Sequence, residues 1–244
     1  CIRTARAALA SGSAHESAQQ QEVASTVDAV RVVHRGRGRA EWLPAKDLQF
    51  SYRMSAFKCR WRDRFVITAV RFRLRRGQPD PPRYRELTQR VGAQVDHPQI
   101  IRDAVLALRR RKSMVIDRED PNRRSAGSFF LNPILNPTDY KILCARFKDQ
   151  GGDPVAIPNW QEGDSTKVPA AWLMERAGLV KGLRYGAAAL STNHCLALIN
   201  PGTATSADIL ALARHARATV QEFFGVRLNP EPVFMGFSHG VDAW

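Results

Sequence analysis

The sequence predicts an α+β fold, and three observations lead there. Val30 and Val32 alternate ahead of a Gly-rich turn, and Val66, Thr68, Val70, Phe72 and Leu74 line one face of a second run with Arg71 and Arg73 opposite. From His97 onward the apolar spacing changes to three and four residues, the period of a helix with one buried face. Helices and strands then mix without the regular βαβ alternation of a parallel sheet.

Taken in order, residues 1–21 are rich in Ala, Ser and Gln and carry no sustained pattern of either period, so no packed structure is expected of them. Arg31 to Arg39 reads as a hairpin turn with solvated charges. Gly77 to Pro82, with Pro79, Pro81 and Pro82, reads as a linker. A helix follows His97-Pro98 and buries Ile101, Ala104, Val105 and Leu108, and its last turn gathers Arg109 to Lys112 against the negative end of its dipole. Asn136-Pro137 starts the next helix, with Tyr140, Leu143, Cys144 and Phe147 inward and Gly151 beyond its end. A short helix is expected from Pro169. A long one, capped by Thr205 or Ser206, turns Ile209, Leu212, Ala213, Ala216, Val220 and Phe223 inward and stops at Gly225. Strands are expected at Cys195 to Ile199 and at Val233 to Phe237.

In 244 residues with 44% hydrophobic side chains there is enough apolar material for a sizeable core. The balance of 37 basic to 23 acidic side chains gives a formal charge of +14 and favours anionic partners. A nucleotide diphosphate suits that field. A basic nucleic-acid-binding module is the rival, but Arg109 to Lys112 has neither stacking aromatics nor a familiar DNA-binding spacing. The cysteines, Cys1, Cys59, Cys144 and Cys195, form no CxxC pair, which fits a reduced, cytoplasmic location. His15, His34, His97, His194, His215 and His239 show no ligand spacing and read as surface or structural, so no metal is expected. No apolar run approaches the roughly 18 residues of a spanning helix, and no leader pattern opens the chain, so neither membrane insertion nor export is expected.

The segment Ser125-Ala126-Gly127-Ser128-Phe129-Phe130-Leu131-Asn132-Pro133 is the most informative, since it joins a permissive glycine to a hydroxyl and an amide. Phe50-Ser51-Tyr52-Arg53-Met54-Ser55-Ala56-Phe57-Lys58 lies upstream and Leu228-Asn229-Pro230-Glu231 near the end. Three separated motifs in this order resemble those of the UDP-N-acetylenolpyruvoylglucosamine reductase (MurB) family. Weaker matches lie between them, at Arg109 to Met114, Lys167 to Leu173, Ala177 to Gly182, Ile199-Asn200 and Ala204 to Ile209.

The resemblance implies FAD and NADPH as cofactors, a UDP-sugar enolpyruvate as substrate, and a hydride transfer followed by protonation of the neighbouring carbon. By motif position it implies Ser128 as the proton donor and Arg53 with Glu231 as the pair that holds the substrate carboxylate. Lys112 and Arg109 match diphosphate-side basic residues, Asn132 an amide ligand, Tyr84 the residue of a covering loop, and Trp160 an aromatic over the nucleotide. It further implies the end of an FAD-binding domain over residues 22–76, a linker and covering loop over 77–97, and a substrate-binding domain over 98–244. His15 to Gln21 stands where the family has a glycine-bearing loop, so the chain reads as lacking the first part of the flavin domain. A UDP-sugar-binding fragment without catalysis is the alternative. Leu131 in place of a frequent Lys, and Val233 where some members have Arg, depart from the pattern. The sequence leaves the oligomeric state open.

Overall fold

The computed structural model describes residues 23–77, 81–82, 84–92, 97–234 and 236. The expectation for residues 1–21, and part of that for the linker, therefore falls outside the described residues. Three hydrophobic clusters organise the rest.

The first surrounds an antiparallel sheet of β1 (Val27–His34), β2 (Ala40–Pro44) and β3 (Phe65–Phe72), with β1 in the centre. The Arg-rich segment between β1 and β2 is an exposed turn, as its charges require. Val27, Val30 and Val32 pack with Leu48, Phe50, Phe57 and Trp61, which come from the irregular segment between β2 and β3.

The face expected of β3 is corrected. Register passes from Arg31 opposite Ala69 to Val32 opposite Ile67, which leaves Thr68 as a bulge. A bulge inserts one residue and so reverses the alternation. Phe65 and Ile67 face the cluster before it and Val70 after it. Val66 and Phe72 are nearly half exposed, and Leu74 lies past the strand end in solvent.

The second cluster pairs α1 (Arg85–Val91) with α2 (Pro98–Arg111). Leu87 and Val91 meet Ala104 and Leu108, with Ile101 and Val105 at the margin, so the expected stripe on α2 holds. Lys112 caps α2, directly after three arginines that complement the helix dipole.

The third and largest cluster holds two small sheets against three helices. One sheet runs β4 (Ser125–Ser128), β10 (Ala197–Ile199), β9 (Ala188–Leu190), β8 (Arg184–Tyr185); the other runs β5 (Ile134–Leu135), β7 (Ser165–Lys167), β6 (Trp160–Glu162). The helices are α3 (Pro137–Asp149), α4 (Ala170–Arg176) and α5 (Ser206–Phe224). Asn136 caps α3 by accepting from the Asp139 amide at 2.9 Å. Thr205 caps α5 in a reciprocal box with Asp208, and Gly225 closes it in the left-handed region at φ 74°.

Within α5 the buried set is Leu210, Leu212, Ala213, Ala216, Val220 and Phe224. Phe224, rather than the expected Phe223, is fully enclosed, because its ring meets those of Phe147 on α3 and Trp172 on α4. Each large apolar side chain enclosed in this way contributes on the order of 1.5–3 kcal/mol. The strand expected at Val233 to Phe237 is absent at Val233 and Phe234; Met235 and Phe237 lie outside the described residues. Pro230 and Pro232 lack the N–H that a ladder needs, and pairing there reduces to a single bridge, Phe130 to Pro230.

Candidate active site

Ser128 ends β4 at the edge of its sheet, held by β10 through the pair Ala197–Ser128. Gly127 has φ 79°, a conformation that costs a side-chain-bearing residue about 1–2 kcal/mol, so glycine is needed for the turn into Ser128. Beyond Ser128 the chain is gripped from both sides. The Phe129 amide donates to Leu196 at 2.7 Å, the Leu131 amide to Asn229 at 2.9 Å, and the Glu231 amide to Phe129 at 2.8 Å. Phe129 and Phe130, both buried, anchor the segment from beneath. Glu231 is thereby tied to the residue that follows Ser128.

Arg53 reaches the same place from the first cluster. It sits in a tight turn closed by reciprocal Ser51 and Met54 backbone bonds, and its φ of 56° is left-handed. For a non-glycine residue that is stored strain, commonest at functional positions. Arg53 Nη1 donates to Glu231 Oε1 at 2.9 Å, with side-chain exposures of 22% and 9%. Arg53 Nε is buried with no hydrogen-bond partner, as is Arg109 Nε. A buried N–H without a partner is rare enough to mark a donor suited to an oxygen from outside the protein. Lys58 fixes the turn by donating to the Arg53 carbonyl at 2.8 Å.

Beside this pair, the Lys167 ammonium lies 4.7 Å from the centre of the Tyr52 ring and 5.6 Å from that of Trp160, and it is ion-paired with Glu162. Trp160 is thus linked through Lys167 to the residue preceding Arg53. Lys167 entered the sequence reading only as part of a motif, and its role as a cation between two rings depends on strand pairing that spacing does not reveal.

On the Ser128 side the structure adds a residue that sequence reasoning missed. His194 is only 4% exposed, and its Nε2 lies 3.4 Å from Ser128 Oγ. Burial, reinforced by the charges of Lys112 and Lys181, brings its pKa down from 6.5 to about 4, so the ring is neutral near pH 7. No ligand spacing could have marked it, since it owes its place to the turn between β9 and β10. That turn is fastened to the segment after α2. Asn122 accepts from the Thr192 amide at 3.0 Å, and Asn193 Nδ2 donates to Ser113 Oγ at 2.8 Å.

A stability consequence follows from the depressed pKa. The unfolded chain takes up this proton more readily than the native one, so stability stays complete above pH 6.5 and is lost as pH falls toward 4. Denaturant titrations between those limits should show a loss of up to about 3 kcal/mol that His194→Gln lacks. An equal acid loss in His194→Gln would place its origin elsewhere.

Lys112 is placed by α2 and donates to Glu86 of α1 at 3.0 Å; Tyr84 stands at the N-terminus of α1. Asn132 turns its side-chain oxygen inward, accepting from the Ala170 amide at 2.9 Å where α4 begins. Of the expected residues, Arg53, Glu231 and Ser128 are brought together through Phe129, Trp160 joins them through Lys167, and Lys112 lies near enough to His194 to depress its pKa. Arg109 meets Lys112 through its backbone, its carbonyl accepting from the Lys112 amide at 3.1 Å, whereas the Asn132 side chain is engaged at the start of α4. Among the described residues no three His, Cys, Asp or Glu side chains gather as a metal site, and no helix is long and apolar enough to cross a membrane.

Comparison with known proteins bears on what this arrangement does. Residues 120–235 match the family model "UDP-N-acetylenolpyruvoylglucosamine reductase, C-terminal domain". The UDP-N-acetylenolpyruvoylglucosamine reductase of Thermobifida fusca is 46% identical over 221 residues, covering 88% of this chain and 62% of the relative. That of Mycolicibacterium gilvum is 43% identical over 224 residues, covering 89% and 62%. A crystal structure of UDP-N-acetylenolpyruvylglucosamine reductase (MurB) from Thermus caldophilus aligns with a TM-score of 0.47 at 24% identity, covering 85% of this chain and 52% of that one. Over most of its own length the chain is similar to UDP-N-acetylenolpyruvoylglucosamine reductases, and it spans about three fifths of the length of the curated relatives it matches.

Proposed function

We propose that this chain supplies the substrate side of the NADPH- and FAD-dependent reduction of UDP-N-acetylglucosamine enolpyruvate to UDP-N-acetylmuramate, a step in peptidoglycan precursor synthesis. The observation that carries the reading is the convergence of Arg53, Glu231 and the Ser128 segment, which come from three regions of the sequence. Arg53 and Glu231 hold and polarise the enolpyruvyl carboxylate, with the orphaned Arg53 Nε as the donor that a carboxylate oxygen completes. Ser128 gives its hydroxyl proton to the carbon beside the one reduced. Lys112 and Arg109 take the diphosphate, with Tyr84, Asn132 and Trp160 around the nucleotide.

On this reading residues 22–76 close a flavin-binding domain, 77–97 form the linker and covering loop, and 98–244 bind the substrate. The separate clusters of the first sheet and of the C-terminal helices support that division, and α1 of the covering segment packs on α2. Cys59, Cys144 and Cys195 are free thiols, in keeping with a cytoplasmic site of action.

The fit to the flavin is incomplete. When bound, reduced FAD supplies the hydride. Among the described residues, however, no glycine-rich turn leads into a helix N-terminus of the kind that cradles a dinucleotide pyrophosphate. No step here is therefore routed through the flavin. The same observation favours the second reading, a UDP-sugar-binding fragment without catalysis.

Flavin absorbance of the purified chain, after incubation with FAD and removal of free cofactor, separates the two. Retained flavin, together with NADPH oxidation dependent on the enolpyruvate, is the expected result for the reductase. Binding of the UDP-sugar with no retained flavin would establish the silent fragment. Steeply salt-dependent binding to DNA, without competition from the UDP-sugar, would sink both.

A further inference from the structure

We propose that His194 is a positioning residue for Ser128, donating its Nε2–H to the serine oxygen so that the serine's own proton is free for substrate. This assignment rests on the reductase reading above.

Serine is a weak acid. Protonating a carbon breaks the Ser128 Oγ–H bond, and the electron pair stays on Oγ as an alkoxide. The proton goes to the substrate carbon next to the one that is reduced, where the negative charge develops. Such a step needs a donor already aimed at the oxygen where charge develops. His194 Nε2, 3.4 Å from Oγ, is a ring nitrogen in place to serve. That distance is long for a hydrogen bond and of the kind that tightens when substrate binds.

The two neutral tautomers have opposite consequences. With the proton on Nδ1, the bare Nε2 would accept the serine hydrogen and turn it away from substrate. With the proton on Nε2, histidine donates, the serine hydrogen points elsewhere, and the alkoxide left behind keeps a hydrogen bond. A charged imidazolium would compete as the stronger acid, but burial and the charges of Lys112 and Lys181 disfavour it.

The scaffold around the ring supports a fixed geometry. The Ala197 amide donates to the His194 carbonyl at 3.0 Å, and Thr192 and Asn193 on its other side are fastened to Asn122 and Ser113. The His194 backbone is thus fastened on both flanks, in a turn that also carries the partner strand of Ser128.

The test is ¹⁵N NMR of the histidine rings in this chain, without flavin or substrate, alongside Ser128→Ala and the remote control Ser206→Ala. The expected result at pH 7 is a neutral His194 with its proton on Nε2, and an Nε2 resonance that moves in Ser128→Ala but not in Ser206→Ala. A proton on Nδ1, a charged ring at pH 7, or indifference to Ser128→Ala would overturn the assignment. In turnover assays His194→Leu should lower kcat roughly 10- to 100-fold, whereas His194→Gln, which keeps an N–H donor, should stay within a few fold of the parent. UDP-sugar affinity should be unchanged in both, and equal losses in the two variants would count against the donor role. Because the NMR arm needs neither cofactor nor substrate, it decides the assignment even where the reductase reading fails.

Discussion

Ser128→Ala is expected to lower turnover of the enolpyruvate by roughly 100- to 10,000-fold while leaving the NADPH-dependent reduction of any bound flavin intact. The separation follows from the proposed order of steps, in which the hydroxyl acts only after the neighbouring carbon is reduced. The folded state should barely notice the change. Ser128 is held through its backbone to β10, and its hydroxyl lies at a long 3.4 Å from His194 Nε2. Stopped-flow absorbance should therefore show a normal first half-reaction and a stalled second one. Release of saturated product at the parent rate would remove Ser128 from the mechanism. An unchanged denaturation midpoint is the control, since a fold defect would slow both half-reactions.

How far the sequence foretold this arrangement depends on what each signal measures. Helix boundaries were legible because caps are local: Asn136 and Thr205 bond to amides three residues on, and Gly225 closes α5 within one turn. The β3 face was not legible. The bulge at Thr68 arises from pairing with β1, and a single inserted residue reverses every assignment beyond it. Phe224 is enclosed more fully than Phe223, which packs at the margin of the same core, because rings from α3 and α4 meet Phe224, which a helical period alone does not encode.

The site divides in the same way. Ser128, Arg53 and Glu231 stood out because each lies in a distinctive motif. His194 sits in an unremarkable segment and Lys167 at the start of a motif match that assigned it no role, and the pairing of β10 with β4 and of β6 with β7 gives them their neighbours. Asn132 lies in a motif that suggested a ligand, and its side-chain oxygen also accepts from the amide that starts α4, a bond that spacing alone does not reveal.

Arg53 offers a sharper test of the carboxylate clamp, because two physical effects at one residue can be separated by choice of substitution. Arg53→Ala leaves Glu231, 9% exposed, without its guanidinium partner while keeping a side chain at φ 56°. Removing one partner of a partly buried ion pair of this kind should cost about 1–3 kcal/mol. Arg53→Gly removes the same ion pair but also relieves the left-handed strain, so urea denaturation should find it about 1 kcal/mol more stable than Arg53→Ala. Both variants should lose affinity for the enolpyruvate by the same large factor, at least tenfold, because neither can meet its carboxylate. UDP alone, which lacks that carboxylate, should bind both as it binds the parent. If Arg53→Ala matched Arg53→Gly in stability, the strained turn would not be the feature that holds this arginine in place. If UDP binding fell along with enolpyruvate binding, Arg53 would be supporting the nucleotide site as a whole, and the substrate carboxylate would have to be held by donors other than Arg53.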